Sequence, residues 1–163
     1  MFAPQITPPI VREEVGIILN WIAEDTDKTD PKRVALLYGS AGVGKSVVMH
    51  DVLLKLEQNE EYLVLGLKTD QIEFGDTEDL SKRMHLAKPL VTIIKEMAQK
   101  AKRVVVLIDQ IDALSLSLSS NRTPLRSIFK LIEQIKSIPH VRVVISCRPY
   151  DLEYDPILND MKI

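Results

Sequence analysis

Three glycines, a lysine and two serines fall in one short run, Gly39-Ser40-Ala41-Gly42-Val43-Gly44-Lys45-Ser46. The spacing is that of the Walker A pattern, and it has a physical reason. Glycines let the backbone curl until successive N–H groups point into one concavity, which suits a phosphate. If a helix starts at Lys45, the partial positive charge of its N-terminus adds to that cradle. Lys45 then reaches the β- and γ-phosphates of a nucleoside triphosphate, with ATP/ADP expected, and the Ser46 hydroxyl becomes a ligand for Mg²⁺. A chance glycine-rich turn is the alternative, but it needs neither a strand before it nor a helix after it.

Val104-Val105-Val106-Leu107-Ile108-Asp109 is an apolar run that ends in a carboxylate. At the carboxyl end of a strand, Asp109 is a Walker B-type ligand for Mg²⁺, directly or through water. The next residue bears on hydrolysis. Gln110 can orient a water but cannot take its proton. Asp112 is the nearest alternative carboxylate, and a helix cap or solvated turn accounts for it equally well. A later apolar run ends in Ser146-Cys147-Arg148, and Arg148 is a candidate γ-phosphate sensor. Pairing with nearby Asp151 or Glu153 is its other reading. Arg12, beside Glu13, either opens a solvated helix or borders the nucleotide base. Slow hydrolysis, or hydrolysis that needs a partner, is the expectation.

These residues need a scaffold that brings strand ends together. Val11, Val15, Ile18, Leu19 and Ile22 share a face at helical spacing, so a helix is predicted from Ile10. Short apolar runs predict strands over 33–38, 62–67, 103–108 and 141–146. Between them, helices are predicted over 45–57 and 86–100, and from Thr123 and Pro124 to before Pro139. The inward positions are Val48, Val52 and Leu56, then Leu90, Ile93, Ile94 and Met97, then Leu125, Ile128, Phe129, Ile132 and Ile135. Lys100, Lys102 and Arg103 suit the negative pole of the 86–100 helix. Residues 69–81 read as an acidic irregular loop, 115–121 as a serine-rich connection, and 148–163 show no clear period. Strand and helix alternate and the strands are continuously apolar. The fold class expected is therefore α/β: three layers, with a mostly parallel sheet covered by helices on both faces. Strand ends one, three and four then place Lys45, Asp109 and Arg148 round one crevice.

Residues 1–9 carry three prolines and read as an extended lead-in, leaving 10–163 as one domain. With 21 basic and 23 acidic side chains the net charge is −2, which gives nucleic acid no footprint over the whole chain. No apolar run is long enough for a membrane span, and the N-terminus is not built like a signal peptide. Cys147 is the single cysteine, so a reducing, cytoplasmic setting fits. It reads as a small buried residue, with no partner for a nucleophile. His50, His85 and His140 lack metal-ligand spacing and read as surface or packing residues, and Trp21 reads as core.

Taken in order, LLYGSAGVGKS, VVVLIDQIDAL and VRVVISCRP resemble the NACHT and wider STAND NTPases, relatives of the AAA+ class. The resemblance runs from about Ile10 to the end of the chain. It implies a strand-end signature Asp-Gly-x-Asp-Glu, where this chain has Asp109-Gln110-Ile111-Asp112-Ala113. Both aspartates stay, while the glycine and final glutamate do not. It also implies a sensor strand ending polar-polar-Arg, matched by Ser146-Cys147-Arg148. An Arg-Glu-like pair near the adenine is matched by Arg12-Glu13. Such proteins are nucleotide switches, held closed by ADP and licensed to oligomerise by ATP. They serve immune-type signalling, including bacterial anti-phage defence, with effector and sensor domains in a longer chain. The resemblance thus implies a fragment lacking the lid and winged-helix regions. Two other functions fit the same loop: an AAA+-type ATPase acting on DNA, and a nucleotide-binding scaffold without turnover, which Gln110 and Ala113 favour. No Asn-Lys-x-Asp motif follows the third strand, which argues against a GTPase.

Overall fold

The computed structural model describes residues 13–24, 33–39, 44–68, 85–109 and 123–147. Its elements run α1 (Glu13–Ala23), β1 (Val34–Tyr38), α2 (Lys45–Glu57), β2 (Tyr62–Lys68), α3 (Leu90–Lys100), β3 (Arg103–Asp109), α4 (Thr123–Ile135) and β4 (Val141–Cys147). Every strand pair is parallel, and the order across the sheet is β1-β4-β3-β2. The chain leaves β1 for the far side of the sheet, then returns strand by strand until β4 lies beside β1. The carboxyl ends of β1, β4 and β3 are therefore neighbours. The α/β expectation holds, with helices on both faces.

Strand alternation divides the core in two. Val104, Val106 and Ile108 of β3 and Val141, Val143 and Ile145 of β4 face α3 and α4. Val105, Leu107 and Val144 face α1 and α2. Every residue of β3 and β4 is buried, as central strands of a covered sheet require. Leu90, Ile94 and Ala98 bury one stripe of α3, and Met97 packs half-buried beside them. Ile93 is only half-buried. Val48, Val52 and Leu56 are buried on α2 as expected, joined by Met49.

Five boundaries differ from the sequence reading. The helix expected over 86–100 begins at Leu90, because Pro89 occupies its N-cap in extended conformation (φ −54°, ψ 138°). A proline also biases the residue before it away from helix. The first strand starts at Val34, while Arg33 donates to the carbonyls of Lys136 and Ile138 (3.3 and 3.1 Å). The other strands run one residue further than expected, which brings Lys68 and Asp109 into the ladder as a register pair.

The face towards α1 and α2 is polar at both ends. At the amino end sit the buried Arg103 and Arg142. Arg103 serves a different helix from the one its sequence position suggested. Its guanidinium donates to the carbonyls of Ile22 (3.3 Å) and Glu24 (2.9 Å) at the carboxyl end of α1. Two residues before Val105, it points to the α1 side by strand parity. Arg142 donates to the same Glu24 carbonyl (3.5 Å) and lies 6.0 Å from the centre of the Trp21 ring. The last turn of α1 has no basic residue of its own, so strand arginines supply the positive charge its carbonyls favour. Trp21 is half-buried against this core.

Candidate phosphate and metal site

The opposite, carboxyl end of that face carries the residues singled out for chemistry. β1 ends at Tyr38, and the Gly39 N–H donates to the Cys147 carbonyl (3.3 Å), which ties the start of the loop to the end of β4. Gly44 closes the loop with φ 92° and ψ 25°, a left-handed conformation that a Cβ disfavours. The Gly44 carbonyl accepts the helical hydrogen bond from the Val48 N–H (3.0 Å). Gly44 has no side-chain cap, and a helix N-terminus carries the partial positive charge that suits an anion. The Lys45 ammonium donates to the Gly39 carbonyl (2.5 Å), folded across the loop it belongs to.

Asp109 is buried at the end of β3, and the buried Ser146 of β4 donates its hydroxyl to Oδ1 at 2.5 Å. Ser146 takes the next position after the Ile108–Ile145 register pair, so strand pairing alone sets the two side by side. The carboxylate is thereby held in one orientation by a neighbouring strand.

Ser46 and Asp109 line one cavity of about 340 Å³, between α2 and the ends of β2 and β3. Met49, Leu53 and Leu107 give it apolar walls, Gly66 opens its side, and His50 and Lys68 add two nitrogen groups. The donor chemistry fits Mg²⁺, which prefers oxygen and is usually held by one or two protein groups together with substrate phosphates. Among the described residues no cluster of three His, Cys, Asp or Glu could form a dedicated cage. A hydroxyl and a carboxylate on one cavity are the partial set that a phosphate-bound ion requires.

The structure thus brings Gly39, Gly44, Lys45, Ser46 and Asp109 to one end of the sheet. Ser40, Ala41, Gly42, Val43, Gln110, Asp112, Arg148 and Arg12 lie outside the described residues. So do the lead-in 1–9, the helix start at Ile10 and Val11, the segments 69–81, 115–121 and 148–163, and the side chain of Leu125. Cys147 is buried, as expected. Sequence reasoning missed three residues. Ser146 orients Asp109. His50 lies four residues after Ser46 and so on its side of α2, a spacing the sequence displays. Lys68 needed the β2–β3 register to be found. Among the described residues no helix is long and apolar enough to cross a membrane.

Comparison with known proteins agrees with this fold. The chain is similar in fold to a solved structure from Aeropyrum pernix, the ORC2 protein in ADPNP-ADP complexes, with a TM-score of 0.56 and 13% identity. That match covers 99% of this chain and 49% of the other, so the chain spans about half of its length. The comparison with curated proteins finds no match. The model of the NACHT domain matches residues 33–158, from the first strand past the last. With its P-loop NTPase fold, the chain belongs to the NACHT domain family.

Proposed function

We propose that this NACHT chain is a Mg²⁺-dependent ATP-binding module that hydrolyses slowly and works as a switch. The observation that carries the reading is Asp109, buried, held by Ser146, and sharing one cavity with Ser46. Lys45 would leave the Gly39 carbonyl for the β- and γ-phosphates, and residues 39–46 would wrap them. Ser46 and Asp109 would hold Mg²⁺, whose charge screens the triphosphate during phosphoryl transfer. Gln110 orients water without accepting its proton, which keeps turnover slow. Asp112 is the reserve carboxylate, Arg148 the γ-phosphate sensor and Arg12 the contact near the base. ADP then holds a closed state and ATP licenses self-association, coupled to effector and sensor domains of a longer chain. A cytoplasmic signalling role, with anti-phage defence as one setting, completes the reading.

The test is to extract and identify nucleotide from the purified full-length protein, then to compare turnover with that of Lys45→Ala. Retained ADP, slow turnover, and loss of both in Lys45→Ala support the switch. Rapid, DNA-stimulated hydrolysis would support the AAA+-type reading instead. Binding without turnover would support the scaffold. Absence of adenine nucleotide binding would sink the whole reading.

A further inference from the structure

We propose that Lys68 is a second phosphate-binding cation of this site and that it favours a nucleoside triphosphate over a diphosphate. The proposal rests on the reading of the cavity as the phosphate and metal site. Lys68 is the last residue of β2 and pairs in register with Asp109 of β3, so both side chains leave the sheet on the α2 face. Both also line the cavity that Ser46 closes from α2. Among the described residues Lys68 makes no ion pair, while Lys88, Lys102 and Lys136 each have one. Its exposed ammonium is therefore available to an anion at the cavity mouth.

The placement of the two lysines decides from which side each would meet the phosphates. Lys45 follows β1, on one side of the sheet, and Lys68 ends β2, on the other, with β4 and β3 between them. Strands lie about 4.8 Å apart, so the two backbones approach a bound chain of phosphates from opposite sides. A diphosphate held in the 39–46 loop is within reach of Lys45. On this reading the added terminal phosphate, met by Lys45 from the loop, would also reach the cavity that Ser46, Asp109 and Lys68 line. Mg²⁺ at Ser46 and Asp109 would repel an ammonium in its own right, so Lys68 has a favourable partner there only when that phosphate is present. The alternative is that Lys68 serves as a local counter-charge to Asp109. Its removal would then change metal binding equally for both nucleotides.

Fluorescence titration of the full-length protein with labelled ADP and labelled ATPγS, each with Mg²⁺ and with EDTA, separates these roles. Lys68→Ala is expected to weaken ATPγS about five- to twenty-fold, the range for a charge-assisted hydrogen bond discounted for an exposed ammonium. ADP affinity should stay within about twofold, and Lys68→Arg should restore ATPγS binding. Equal weakening of both nucleotides, a change confined to the Mg²⁺ dependence, or no change in either overturns the proposal. A wild-type protein that binds neither nucleotide overturns the site reading itself. A wild type that binds both, with a Lys68→Ala variant that still discriminates as well, overturns the role of Lys68 alone.

Discussion

The Ser146 hydroxyl donates to Oδ1 of Asp109 at 2.5 Å, and both residues are buried. A buried carboxylate needs donors, and one that must also meet a metal needs them placed so that its lone pairs stay aimed. Ser146 comes from the strand that separates β3 from β1. The register of two central strands therefore orients the candidate metal ligand.

Ser146→Ala should separate this role from simple packing. Loss of the donor is expected to cost about 1–3 kcal/mol of stability, the range for weakening the satisfaction of a buried polar group. It should also lower Mg²⁺-dependent nucleotide affinity about tenfold, as loss of a ligand's supporting partner does. Thermal melts and titrations with and without Mg²⁺ measure both. A variant that loses stability but keeps its full Mg²⁺ dependence would show that Ser146 only packs.

Gly66→Val should act on the cavity and spare the fold. Gly66 is exposed on β2, and a Cβ built there meets nothing within 4 Å. Valine favours strands over glycine, so stability should hold or rise by up to about 1 kcal/mol. The added side chain would intrude beside Lys68 and Leu107, and Mg²⁺-nucleotide affinity should fall about tenfold or more. Unchanged affinity in a folded Gly66→Val protein would move the phosphate and metal site away from this cavity.

Part of this site was legible before the structure, for reasons that concern range. The 39–46 loop is contiguous, so sequence displays its spacing directly. Asp109 ends an apolar run, a local pattern; His50, one helical turn from Ser46, is equally local but read only as a surface or packing residue. The Ser146–Asp109 bond joins residues 37 positions apart and depends on strand register, which no local pattern encodes. Lys68 joins the site through the same kind of register. Arg103 illustrates the reverse error. Next to Lys100 and Lys102 it read as one basic end of a helix. Strand parity turns it to the other side of the sheet, where it serves α1.

Gly44→Ala should strain the loop at its hinge into α2. At φ 92° a Cβ costs about 1–2 kcal/mol. The carbonyl of Gly44 starts the α2 ladder through the Val48 N–H, so relief of that strain would displace the first turn that carries Lys45 and Ser46. Nucleotide affinity is expected to fall more than stability does. Equal affinity in Gly44→Ala and wild type would mean that the loop tolerates another conformation when loaded.

Arg103→Met should loosen α1 while keeping the buried apolar stem. Methionine fills most of the volume along which the arginine stem runs but cannot donate to the carbonyls of Ile22 and Glu24. Two effects oppose each other. Removal of one guanidinium relieves repulsion with Arg142, which shares the Glu24 carbonyl. Against that, the carboxyl end of α1 loses two charge-assisted hydrogen bonds and part of the positive charge beside its dipole. The second effect should win, because Arg103 is buried and its bonds are poorly replaced by water, giving a net loss of about 1–3 kcal/mol. Hydrogen exchange should speed up across residues 13–23 before it does in β3 or β4, whose residues are buried throughout. Val15, Ile18 and Ile22 pack α1 into the same core as Val48 and Val52 of α2, so loosening should reach the helix that bears Ser46. Faster exchange spread evenly over the sheet would instead make Arg103 a general support of the core, with no selective hold on α1.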